Sequence, residues 1–199
     1  MKRQLLFFIM LLLPFLANSQ EIAKQKEIGV TFRSFDNFGF VFKTGKSNAM
    51  WRFNTILGSV TTDDIDQDSL NVNRNGLNIG LNAGREWRKP IQEKLELRYG
   101  FDLGYNYKIS ESDLNDVSTN NQDFSISQKS SGYGVNTVIG VNYLLGKSVV
   151  LGLEVLPAIN YTKSIVKTNS INLTQKEERS GFNYGFSNTS ATVSLLYRF

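Results

Sequence analysis

The sequence contains no cysteine and no histidine among its 199 residues. Without thiols there are no disulfides, metal–thiolate sites or cysteine nucleophiles, and the lipoprotein route is closed. Without imidazole neither a Ser-His-Asp nor a Cys-His relay can be assembled, and no histidine metal site can form. Prolines number three. There is no linker-like stretch, no repeat of solenoid length, and beyond the amino terminus no apolar run near the roughly 20 residues a membrane helix needs. Gly76, Gly80 and Gly84 lie on or beside an alternating stretch with no helix after it, so they are not a phosphate-binding loop.

What is present begins with a segment to be set aside. Lys2 and Arg3 precede an apolar run from Leu5 to Leu16, and Ala17-Asn18-Ser19 puts small residues where a signal peptidase cuts. Residues 1–19 are therefore expected to be a signal peptide, and 20–199 a single domain. Removing Lys2 and Arg3 lowers the formal charge from +4 to +2, so a nucleic-acid partner is not expected.

The rest of the chain alternates apolar and polar residues with the period of a strand. The clearest case is Leu95, Leu97, Tyr99, Phe101, Leu103, Tyr105 and Tyr107 against Glu96, Arg98, Gly100, Asp102, Gly104 and Asn106. About eight strands are expected, near 27–34, 38–43, 49–60, 76–88, 95–107, 133–145, 149–161 and from 182 to the end. Pro157 should mark a bulge or strand end, because it deletes a ladder donor. Phe182, Tyr184 and Phe186 have the opposite parity to Val193, Leu195 and Tyr197, which calls for a bulge near 187–188 or an upper part standing clear of the rest. Leu196 is an apolar exception on the polar face. Longer polar connections at about 61–74, 109–130 and 163–180 alternate with short turns.

Strands of roughly 10 tilted residues span the hydrocarbon of a bilayer. The last strand closes with Tyr197 and the terminal Phe199, and outward aromatics gather near strand ends: Trp51, Trp87, Tyr99 and Tyr143 at one level, Tyr105, Tyr107, Tyr133 and Tyr161 at the other. In these features the chain resembles the small outer-membrane β-barrels of the OmpA/OmpX type. The resemblance implies an all-β, eight-stranded antiparallel up-and-down transmembrane barrel in a Gram-negative-type outer membrane. It further implies contact with outer-membrane lipid and lipopolysaccharide, a monomer, and Tyr197 and Phe199 as the signal read by the barrel assembly machinery. Small-barrel enzymes of that kind rely on a histidine this chain lacks, so no catalytic residue and no cofactor is expected.

Two sets of residues are candidates for a site. Asp64, Asp66 and Asp68 match the first three ligand positions of an EF-hand loop, but Ser69 replaces the turn glycine and Asn75 the closing glutamate. The inward-facing charges Arg33, Lys43, Arg52, Glu86, Arg88, Glu96, Arg98, Asp102, Glu154 and Arg198 form the other. Eight strands enclose a space that side chains fill, so these charges should pair as a plug. On charge pairing alone, the fourth and fifth strands should set Glu86 opposite Arg98 and Arg88 opposite Glu96. The expected function is structural or surface interaction through the polar connections. The alternatives are a narrow pore or transport barrel, a component of a larger envelope complex, and a soluble lipocalin-like ligand-binding barrel whose apolar face points inward.

Overall fold

The computed structural model describes residues 24–34, 37–58, 61–67, 70–116, 123–170, 173–185 and 191–199; the expected signal peptide at 1–19 lies outside them. The strand segments are β1 (Lys24–Ser34), β2 (Asn37–Lys46), β3 (Ala49–Leu57), β4 (Thr61–Gln67), β5 (Leu70–Gln92) and β6 (Leu95–Asp116). They continue as β7 (Asp123–Leu144), β8 (Val149–Val155), β9 (Ala158–Ser170), β10 (Leu173–Gly185) and β11 (Ala191–Arg198). All pairings are antiparallel, and β1-β2-β3-β5-β6-β7-β8-β11 closes on itself through the β1–β11 ladder. That ring is the expected eight-stranded barrel. The Lys26 and Phe199 backbones exchange two hydrogen bonds of 2.9 Å at the seam.

The side chains are sorted inside out. Leu103 is 62 % exposed on the outer wall while Arg52 and Arg98 are 1 % exposed inside. Outward positions of the wall strands carry large apolar residues, among them Ile28, Phe40, Phe53, Leu81, Val135 and Leu195. A soluble protein rarely exposes such a continuous apolar surface, and a barrel with its charges enclosed has no use for water outside. The lipocalin-like alternative, with aromatics inside and charges in solvent, is therefore overturned. The fold is a transmembrane β-barrel.

Leu196, the exception in the alternation, faces inward and packs with Val41 and Val150 in a small apolar cluster. Pro157 interrupts a strand as expected: β8 and β9 are two parts of one wall strand that keep a common register against β7 on either side of it. The Thr137 N–H donates to the Pro157 carbonyl (2.8 Å), so the ladder loses little there. The parity conflict in the last strand resolves as a face reset. Phe182 and Tyr184 pair with Tyr161 and Ile159 on the outside, and Val193 pairs with Leu153, also on the outside. Between Gly185 and Ala191 the chain advances six positions while its neighbour advances three, from Ala158 to Val155. An odd excess inverts the alternation.

The polar connections are corrected most. Residues 61–67, 109–116, 123–130, 163–170 and 173–180 are strand, not loop. They prolong the wall beyond the ring as an open sheet in the order β4-β5-β6-β7-β9-β10, because β1 and β2 end early. Polar residues fall on both faces of this extension. With no lipid on one side the alternation vanishes, and the sequence reads as loop. Exposed ion pairs such as Lys163–Glu178 (3.2 Å) and Lys176–Glu178 (2.8 Å) decorate it, each contributing little.

The facing of β6 is directly testable. Leu103→Arg places a charge mid-wall, where it costs about 2–4 kcal/mol against lipid, whereas Asn106→Arg adds one at the wet rim of the interior. Reversible folding into lipid vesicles should show a much larger loss for Leu103→Arg. Equal losses would mean the faces are assigned wrongly.

Candidate functional site

The inward charges come together into one network. At the turn end, the two terminal nitrogens of Arg88 donate to the two carboxylate oxygens of Glu27, both at 2.7 Å. Arg198 donates to Glu27 through Nε (2.8 Å) and to Glu96 through both terminal nitrogens (3.2 and 3.0 Å). One layer further in, Glu86 accepts from Lys43 Nζ (2.8 Å), Arg52 Nη1 (3.2 Å) and Arg88 Nε (2.7 Å), with Arg98 at 3.6 Å. Above that, Arg52 grips Glu154 with two hydrogen bonds of 3.0 Å, Thr192 Oγ1 donates to the same carboxylate (3.0 Å), and Arg98 Nη2 lies 3.0 Å away. Amides take over higher up, where Asn136 donates to Asn82 (3.2 Å).

Five carboxylates (Glu27, Glu86, Glu96, Asp102, Glu154) thus face five cations (Lys43, Arg52, Arg88, Arg98, Arg198). The balance decides the outcome, since an isolated buried charge is costly unless it is paired and hydrogen-bonded. Asp102 is the least satisfied member. Its Oδ1 lies 3.2 Å from Arg52 Nε, and neither oxygen takes a hydrogen bond from the described residues. Arg33 stands apart: it is partly exposed, within electrostatic reach of Glu154, and in no ion pair among the described residues. The sequence reading missed Glu27, although its parity with Gly29 and Thr31 marks it as inward; it sits at the strand start, before the alternation is established.

Glycine makes the room. A Cβ on Gly140 would come within 3.0 Å of Arg98 Nε, and one on Gly152 within 2.9 Å of Arg98 Nη2. A Cβ on Gly84 would collide with the Phe101 carbonyl and the Asp102 carboxylate. This complementarity also corrects the expected register. Glu86 stands opposite Gly100, Asp102 opposite Gly84, and Arg88 opposite Arg98 rather than Glu96. Bulk against glycine sets the alignment, aided by a bulge between Pro90 and Gln92. The carboxylates that satisfy Arg88 and Arg98 come mainly from β1 and β8 across the lumen and from Glu86 within β5.

The other candidates do not assemble. Asp64 and Asp66 pair with Asn73 and Asn71 in the extended β4 ladder, not in the coiled loop an EF-hand requires, and Asp68 lies outside the described residues. Tyr197 and Phe199 lie on the outer face beside the seam, their rings stacked at 6.1 Å.

No family model and no curated protein matches the chain. Among solved structures it is similar to a major outer membrane protein from Thermus thermophilus, at 14% identity over 89% of this chain and 100% of that one, with a TM-score of 0.47. It is also similar to Ail, the attachment invasion locus protein of Yersinia pestis (13% identity, 88% and 97% covered, TM-score 0.37). A third is neisserial surface protein A (16% identity, 88% and 92% covered, TM-score 0.35).

Because Glu86 ties Lys43, Arg52, Arg88 and Arg98 together, Glu86→Ala should destabilise by about 3–5 kcal/mol, the usual cost of orphaning buried charges. Glu93→Ala, in the exposed turn after β5, should cost little. Once Glu86 is gone, Arg98→Ala should lose much less than it does alone. A double-mutant cycle on folding free energy measures this, and additive losses would contradict the network.

Proposed function

We propose that the protein is an integral outer-membrane barrel with a plugged lumen, acting as a structural or surface-interaction protein through the strands and turns of its extended end. The observation that carries this reading is the charge network. Guanidinium and carboxylate groups fill the interior layer by layer, and the apolar cluster of Val41, Val150 and Leu196 adds to the filling. An eight-stranded lumen has no spare width for a solute path once it holds such side chains. This argues against the narrow pore. What remains free to meet a partner is the polar extension β4-β5-β6-β7-β9-β10, which rises on one side only.

The outer-membrane placement rests on barrel closure, which satisfies every wall strand without a lipid-exposed edge, and on aromatic rings at two levels of the outer face. Short turns at one end and tall hairpins at the other match the asymmetry of periplasmic turns and surface loops. In this reading the partners are outer-membrane lipid and lipopolysaccharide around the wall, and the assembly machinery at Tyr197 and Phe199. The chain acts as a monomer with no catalytic role.

The absence of native cysteine makes a clean test. Gln175→Cys in β10 should react with a membrane-impermeant maleimide on intact cells, and Glu93→Cys only after the envelope is permeabilised. The reverse pattern would invert the orientation. Planar-bilayer recordings should show no stable single-channel steps; such steps would refute the plug.

A further inference from the structure

One charged side chain interrupts the apolar outer wall at the turn-end aromatic level among the described residues. Arg85 has outward parity, between Ala83 and Trp87, and pairs across the wall with Trp51 on one side and Phe101 on the other. Its guanidinium carbon lies 4.9 Å from the centre of the Trp51 ring. Trp87 completes the surround, 5.9 Å from Phe101 and 6.1 Å from Tyr99 between ring centres. No carboxylate pairs with Arg85 among the described residues. An arginine in this position is costly in lipid unless it reaches the interface or meets an anion.

The wall next to it is hollowed. One row toward the extended end, Phe53 pairs with Ala83 and Ala83 with Leu103; in the next row Thr55 pairs with Leu81. The small side chains of Ala83 and Thr55 lie within a depression of about 620 Å³ that spans the wall from Ile28 and Phe40 to Leu103 and Tyr105. Its lining is mostly apolar and begins where the Arg85 row ends. The level below is also cationic: Lys24, Lys26, Lys89, Lys94 and Lys147 are exposed at the turn end.

We propose that Arg85, Trp51 and this depression form a binding site for one phospholipid of the leaflet at the turn end. The guanidinium holds the headgroup phosphate and one acyl chain lies along Phe53, Ala83, Thr55 and Leu81. Guanidinium is suited to the task, because its planar fork matches phosphate oxygens and is more weakly hydrated than an ammonium. Stacking on Trp51 fixes the fork at the level where headgroups begin. The depression accounts for a chain in place, since an apolar hollow facing a bilayer fills with hydrocarbon.

The inference rests on the bilayer reading, and the experiment separates the two. Protein folded into vesicles of phosphatidylethanolamine and phosphatidylglycerol is first checked for heat-modifiable migration. Failure at that step strikes the barrel reading itself. Folded protein is then extracted in mild detergent and weighed by native mass spectrometry. The wild type should retain one phospholipid, and Lys167→Gln, on the extended end, should retain it equally. Arg85→Gln and Ala83→Phe, the latter filling the hollow, should each lose it while remaining heat-modifiable. A wild type that carries no lipid, an Arg85→Gln that keeps it, or a Lys167→Gln that loses it as fully would overturn the site.

Discussion

The structure depends on confining ten charged groups in a space with no room for bulk water. Each inward carboxylate lies within ion-pairing distance of at least one cation, and Glu86 alone has four such neighbours. Taken singly these buried charges would be prohibitively desolvated. Together they form a stack in which breaking one contact strands others. The barrel could have been filled with apolar side chains at similar volume, so the network is a source of specificity for one closed arrangement as much as of stability. It links β1, β2, β3, β5, β6, β8 and β11, which is nearly the full ring, and so ties together strands far apart in sequence.

Much of this was legible in the sequence wherever one face of a strand meets lipid. The run from Leu95 to Tyr107 announces its facing because hydrocarbon tolerates only apolar side chains there, and the inward set followed from the opposite parity. The extensions were not legible. Residues such as Lys163, Ser164 and Lys167 in β9 have water on both faces, so no period survives and strand reads as loop. Register failed for a different reason. Pairing Glu86 with Arg98 across adjacent strands treats the wall as a flat sheet, but in a closed ring an arginine reaches across the lumen to Glu27 or Glu154. Local cross-strand energies of about 0.2–1 kcal/mol yield to the steric fit of bulky inward groups against glycine, as at Glu86–Gly100, Asp102–Gly84 and Arg98–Gly140. Glycine positions, visible in the sequence at 84, 100, 140 and 152, were the better guide to alignment than charge.

The lumen is packed with paired charges. Two surfaces lie outside it: the polar sheet that rises from one side of the rim, and the outer wall with Arg85 set into it. The first is built from strands that owe nothing to the bilayer, held up by continuous ladders from the ring below. The second is a local departure from an otherwise apolar surface.

The central claim is that aromatics face lipid and charges face inward, and the two tryptophans test it without any mutation. Trp51 and Trp87 both lie on the outer wall near its turn end. In vesicles of phospholipid brominated along the acyl chain, their fluorescence should be strongly quenched, more by bromine near the headgroup than by bromine near the chain end. Aqueous acrylamide should quench it weakly. Fluorescence untouched by brominated lipid at every depth would contradict the account.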